Sequence, residues 1–241
     1  MRTWLCGLLL GMLGWTTVLA GEPLPDRIRM VSEVWEDHTN ADGTGLAWEL
    51  LREVFEPVGV KLEYRSMPYT RSTGLVLRGE ADAWVGSYLN EVEGAFYPRW
   101  HYDADRICAL GLKDKPAPTL ETIGDYRLVW LRGYEYQQYL PNLKQYQEIQ
   151  RSGSILAMLA YGHADYYLDA QTEIEELLEQ AKDKDAYRVT RLTLLPLYLG
   201  FTDSPRGRQL AALFDRRMAE LVRSGRLRPM FERWKQPYPF D

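Results

Sequence analysis

Apolar and polar positions alternate along this chain in short runs, separated by stretches with helical spacing. In Arg27 to Val34, Ile28 and Met30 alternate with charged residues, which predicts a first strand ending at Glu33, Val34 and Trp35. A polar turn, Asp37 to Gly43, leads to Thr44 as an N-cap candidate. Leu46, Ala47, Leu50, Leu51, Val54 and Phe55 then form an apolar helical stripe that stops near Pro57 and Gly59. Val60, Leu62 and Tyr64 predict a second strand, and Thr70 to Leu77 a short helix closed by Gly79.

A weak echo follows. Leu77-Arg78-Gly79-Glu80-Ala81-Asp82-Ala83-Trp84-Val85 resembles Ala160-Tyr161-Gly162-His163-Ala164-Asp165-Tyr166-Tyr167-Leu168. Both read as a helix end, a Gly-x-Ala-Asp turn and a strand; the Gly supplies a left-handed cap and the Asp binds backbone amides of the turn. Two copies of one device predict two α/β lobes. The polar connector Lys113 to Thr119 opens the second lobe, with a strand at Arg127 to Leu131 and a helix at Ser154 to Ala160. The β-rich run Arg191 to Thr202 returns the chain to the first lobe. Ser204-Pro205 starts a long helix ended by Gly225, and Arg226 to Lys235 forms a last short one. The expected division is 21–110 and 196–241 for one lobe and 111–195 for the other.

Composition narrows the function. With 46% hydrophobic residues in 241, the chain can bury a core, and a formal charge of −5 lacks the basic excess that nucleic-acid binding needs. Residues 1–20, with Arg2, the apolar run Leu5 to Leu13 and Val18-Leu19-Ala20, read as a cleaved export signal. No later stretch approaches the ~20 apolar residues of a membrane span. The expected mature protein is therefore soluble, monomeric and periplasmic, with Cys108 as its single, buried thiol. His38, His101 and His163 are scattered, so no metal, cofactor or catalytic constellation is expected.

In this order the elements resemble the bacterial extracellular solute-binding proteins of family 3, the type II periplasmic binding proteins of amino-acid ABC importers. The likeness rests on the strand ending at Trp35, the helix Gly45 to Phe55, Leu77-Arg78-Gly79-Glu80-Ala81-Asp82, and an ending with Leu221-Val222-Arg223-Ser224-Gly225 and Trp234-Lys235. It implies two doubly wound α/β lobes joined by two crossing hinge strands, which close on a small polar solute. An ABC permease or a membrane sensor is the implied partner. A ligand-sensing role, or a cyclohexadienyl-dehydratase-like enzyme on the same fold, is the alternative.

By the same resemblance, Asp169 stands four residues after Asp165, where the family binds a ligand ammonium; its other reading is a cap for the helix from Ala170. The family's carboxylate-binding Arg falls in Ser87-Tyr88-Leu89-Asn90-Glu91-Val92-Glu93-Gly94, where Glu93 stands at or near its position. A ligand carboxylate facing Glu93 is repelled, so the solute is expected to lack one unless Arg71, Arg99 or Arg106 compensates. Arg71, on the first turn after Pro68-Tyr69, is the favoured cation, against a solvated helix charge. Trp35, Tyr69, Tyr88 and Tyr134 are candidate ring walls, or else padding, and Ser87 is a candidate polar contact.

Overall fold

In a computed structural model describing residues 23–150 and 154–240, the chain begins β1 (Arg27–Ser32), α1 (Leu46–Phe55), β2 (Lys61–Ser66), α2 (Tyr69–Leu77), β3 (Ala83–Ser87). A short β4 (Ala95–Phe96) precedes β5 (Asp103–Leu112), and then come β6 (Arg127–Leu131), β7 (Gln145–Ile149), α3 (Ile155–Ala160), β8 (Tyr166–Ala170) and α4 (Gln171–Glu179). The 16-residue β9 (Tyr187–Thr202), α5 (Pro205–Arg223) and α6 (Arg228–Arg233) complete it. The proposed export signal lies outside the described residues. Among those described, no helix is long and apolar enough to cross a membrane.

The strands follow one hydrogen-bonded path, β2-β1-β3-β9-β5-β8-β6-β7, with β4 beside β9. β1 lies between β2 and β3 and parallel to both; β6 lies in the same way between β7 and β8. The echo in the sequence is therefore a repeat in space. β5 and β9 run antiparallel from Asp103 opposite Leu197 to Leu112 opposite Tyr187, and β9 continues alongside β3 and β4. These are the two crossing strands, the return strand starting at Tyr187, ahead of the apolar run that predicted it.

Alternation along each central strand separates two cores, as a sheet covered on both faces requires. Ile28 and Met30 join the main core with Leu50, Phe55 and Phe214, whose rings stack at 6.4 Å, while Val31 packs on the opposite face with Leu75, Val76 and Trp84. In the second lobe Leu128 and Trp130 face one way, and Val129 and Leu131 the other, against Ile155, Leu159 and Ile174. Cys108 lies buried in this last cluster, where desolvation pushes its thiol up, so it belongs to the core.

Two local expectations change. Gly45, not Thr44, occupies the N-cap of α1, because Thr44 is held in a turn where its N–H and hydroxyl both donate to Asp42. The aspartates of the repeated turn reach past it: Asp82 accepts the amide of Arg29 on β1, and Asp165 that of Arg127 on β6. After α6 the chain folds back, stacking Phe240 on His101 at 4.8 Å and placing Tyr238 under the Arg228 guanidinium.

Candidate functional site

A cavity of about 340 Å³ opens where β1, β3, β6 and β8 end, on the carboxyl side of the parallel strands where α/β sheets hold ligands. Both lobes contribute. The loop after β1 brings Trp35 to His38, the turn after β3 brings Tyr88 and Glu91, Tyr102 stands just ahead of β5 and Asp105 on it, and the loop after β6 supplies Tyr134 and Tyr136. Asp169, Ala170 and the first turns of α4 close the far side, and Gln236 of the tail reaches its rim.

On the first lobe Gly86 has a φ of 89°, and the Trp35 indole packs close against it: a Cβ there would sit 2.4 Å from the ring. The Tyr69 ring lies 6.2 Å from Trp35, and its hydroxyl donates to Glu91 Oε1 at 2.7 Å. Glu91 Oε2 accepts from the amide of Tyr88 (2.8 Å) and from Ser87 Oγ (3.0 Å). Desolvation pushes the Glu91 carboxyl up, against these three hydrogen bonds.

On the hinge and second lobe, Asp105 accepts from the Tyr88 hydroxyl at 2.9 Å, and desolvation raises its carboxyl too. Asp169 is 1% exposed, accepts the hydroxyl of Tyr167 and takes the amide of Ala170 at 2.8 Å. Burial, with Glu173 and Asp105 adding to it, pushes Asp169 up to about 8. The hydrogen bonds that hold Glu91, Asp105 and Asp169 thus come from neutral hydroxyl and amide donors.

The charge balance of the wall is one-sided. Nine carboxylates line it: Glu33, Glu36, Asp37, Glu91, Asp105, Asp169, Glu173, Glu175 and Glu176, with no Lys or Arg among the lining residues and only His38 able to become cationic. Six aromatic rings complete it: Trp35, Tyr69, Tyr88, Tyr102, Tyr134 and Tyr136. Among the described residues no group of three or more His, Cys, Asp and Glu side chains is placed to hold a metal ion. His101 instead sets Nδ1 2.9 Å from the Asp103 carbonyl.

Of the residues singled out in the sequence, Trp35, Tyr69, Tyr88, Tyr134 and Asp169 line the cavity, while Arg71, Glu93 and Ser87 do not. Arg71 is exposed on α2, because the helix turns that position outward between buried Ser72 and solvent. Arg99 is exposed as well, and Arg106 lines a smaller neighbouring recess. Glu93 is exposed, because the chain turns at Asn90 (φ 60°) and swings Glu91 back to the strand end. Ser87 is buried behind the wall and braces Glu91. Asp105 and the acidic start of α4 were not anticipated as cavity residues; for α4 the signal was the acidic run Glu173, Glu175 and Glu176 close behind Asp169.

No protein-family model matches the sequence, and no curated protein sequence matches it. Solved structures do. A histidine kinase sensor domain described as similar to periplasmic binding proteins superposes with a TM-score of 0.67 at 17% identity, over 86% of this chain and 95% of that one. An ancestral arginine-binding protein bound to arginine gives 0.66 at 13% identity, over 88% and 99%. The extracellular-binding protein of a probable amino-acid ABC transporter from Bacillus subtilis gives 0.65 at 13%, over 88% and 98%. The fold is that of the type II periplasmic binding proteins.

Proposed function

We propose that this protein is a solute-binding protein of the periplasm, which captures a small amino-acid-like or cationic compound between its lobes and presents it to an ABC permease or a membrane sensor. The observation that carries this reading is a single cavity built from the carboxyl ends of strands in both lobes, with β5 and β9 crossing beside it. In that position a solute touches both lobes at once, so binding favours their closure, and the closed form is the signal a membrane partner reads. The solved structures of the same fold include both a transporter's binding protein and a kinase sensor domain.

The charge of the wall opposes the anionic substrate that an enzymatic use of the cleft would require. Asp169, with its carboxyl at about 8, holds a proton at neutral pH as a general acid would. Prephenate, the substrate of the cyclohexadienyl-dehydratase alternative, carries two carboxylates, and the eight other acidic residues of the wall oppose it. A thermal-shift screen of amino acids, amines and aromatic acids, followed by small-angle scattering on any hit, tests the binding reading. The expected result is a raised Tm and a smaller radius of gyration with at least one solute, both lost in Asp169→Ala. Failure of every solute to do either would overturn it.

A further inference from the structure

The cavity differs from a general amino-acid site in what it omits. An amino acid brings a carboxylate and an ammonium, and each needs an opposite partner once water is expelled. Here the wall carries carboxylates on both lobes and no Lys or Arg. The remaining donor for an anion would be the start of α4, which faces the cavity. That end is already occupied by the protein's own acids, since Glu173 stands in its first turn and Asp169 takes the Ala170 amide.

We propose that the solute is an organic amine with at least two cationic nitrogens and no carboxylate, of the diamine and polyamine class, held between Glu91 on one lobe and Asp169 on the other, with Asp105 on the hinge strand between them. This rests on the solute-binding reading and names the ligand class for the same site. Three observations support it independently of the acid count. The acidic groups occur on both sides of the cavity, as a cation with two ends needs. The hydroxyl of Tyr88 holds Asp105 while its amide holds Glu91, so one residue sets the two acids relative to each other. Trp35 and Tyr69, 6.2 Å apart, offer ring faces to alkyl carbons and to ammonium or guanidinium groups. A wall of one sign also concentrates cations in the cleft before lobe closure.

Matched pairs that differ by one carboxylate provide the test: agmatine against arginine, cadaverine against lysine, and putrescine against ornithine, each titrated calorimetrically into the protein. The expected result is that the amine of at least one pair binds at least tenfold more tightly than its amino acid. Glu91→Gln and Asp169→Asn should each weaken that amine at least tenfold, while Glu93→Gln and Arg71→Ala leave it within twofold. Equal or tighter binding of the amino acid in every pair would overturn the inference and leave the solute-binding reading standing. If none of the six compounds binds, the inference fails, and the thermal-shift screen decides whether the solute-binding reading fails with it.

Discussion

Asp82 receives Arg29 twice over: Oδ2 accepts the main-chain amide at 2.8 Å, and Oδ1 accepts the guanidinium at 2.8 Å. Arg127 and Asp165 repeat the arrangement in the second lobe, amide and guanidinium both at 2.9 Å. Each aspartate ties the start of its own strand to that of the central strand, and each gains a further cation, Arg206 from α5 for Asp82 and Lys115 for Asp165. The repeat is thus a clamp that sets strand register in each lobe, at the end opposite the cavity.

Asp82 is fully buried, whereas Arg29 and Arg206 are partly exposed, so its removal leaves two cations that water can still reach. Asp82→Ala is expected to destabilise the protein by about 2–3 kcal/mol in urea unfolding, the range of a charged hydrogen-bond network rather than of a stranded charge. Asp165→Ala should cost less, because Asp165 is more accessible.

Burial alone would raise the Asp82 carboxyl, but hydrogen bonds from Arg29 and Arg206 outweigh it and hold it at about 2. A folded-state value below the ordinary one stabilises the fold above pH 4, and that contribution is lost as pH falls from about 4 towards 2. Its size is about 2 kcal/mol. Stability measured over this range should fall less steeply in Asp82→Asn than in the native sequence.

Asp169 behaves in the opposite sense. Its folded value lies above the ordinary one, so the ligand-free fold loses stability as pH rises from about 4 to 8, where the unfolded chain ionises and the folded one does not. Asp169→Asn should therefore raise the ligand-free Tm at pH 7, by about 2–4 °C for each kcal/mol of relief. A bound cation favours the ionised form, which Glu173 and Asp105 nearby oppose. Amine affinity is expected to rise between pH 6 and 8, with proton release seen as a buffer-dependent heat; a flat profile would count against Asp169 as a contact.

Gly86 is the backbone position on which the cavity wall depends. Gly86→Ala forces a side chain into a left-handed conformation and into the Trp35 indole, with an expected destabilisation of about 1–3 kcal/mol. Solute affinity should fall with it, whereas Gly59→Ala, where a Cβ meets open space, should cost stability and spare affinity.

Much of this was legible in the sequence. The alternation of Ile28 and Met30, the stripe from Leu46 to Phe55 and the Gly-x-Ala-Asp echo are local signals, and the fold follows them. Asp169, Trp35, Tyr69, Tyr88 and Tyr134 were also in reach, because each stands at or just beyond a strand or helix end. Arg71 and Glu93 were misplaced because a side chain's direction depends on helix phase and on a single turn at Asn90, which spacing does not encode. Asp105 was hidden for another reason: it belongs to a hinge strand whose neighbours, Leu195 and Ile107, read as core. The charge of the cavity emerges only when four separate segments of the chain converge, around Glu33 to Asp37, at Glu91, at Asp105 and from Asp169 to Glu176.

The central claim is that this acidic, ring-lined cavity between the lobes is the seat of a cationic solute. A crystal structure of the protein grown with agmatine tests it most directly. The prediction is that the ligand occupies the cavity with nitrogens at about 2.7–2.9 Å from carboxylate oxygens of Asp169 on one lobe or Asp105 on the hinge, and of Glu91 on the other lobe. An empty cavity at saturating agmatine, or agmatine seated elsewhere, would contradict it.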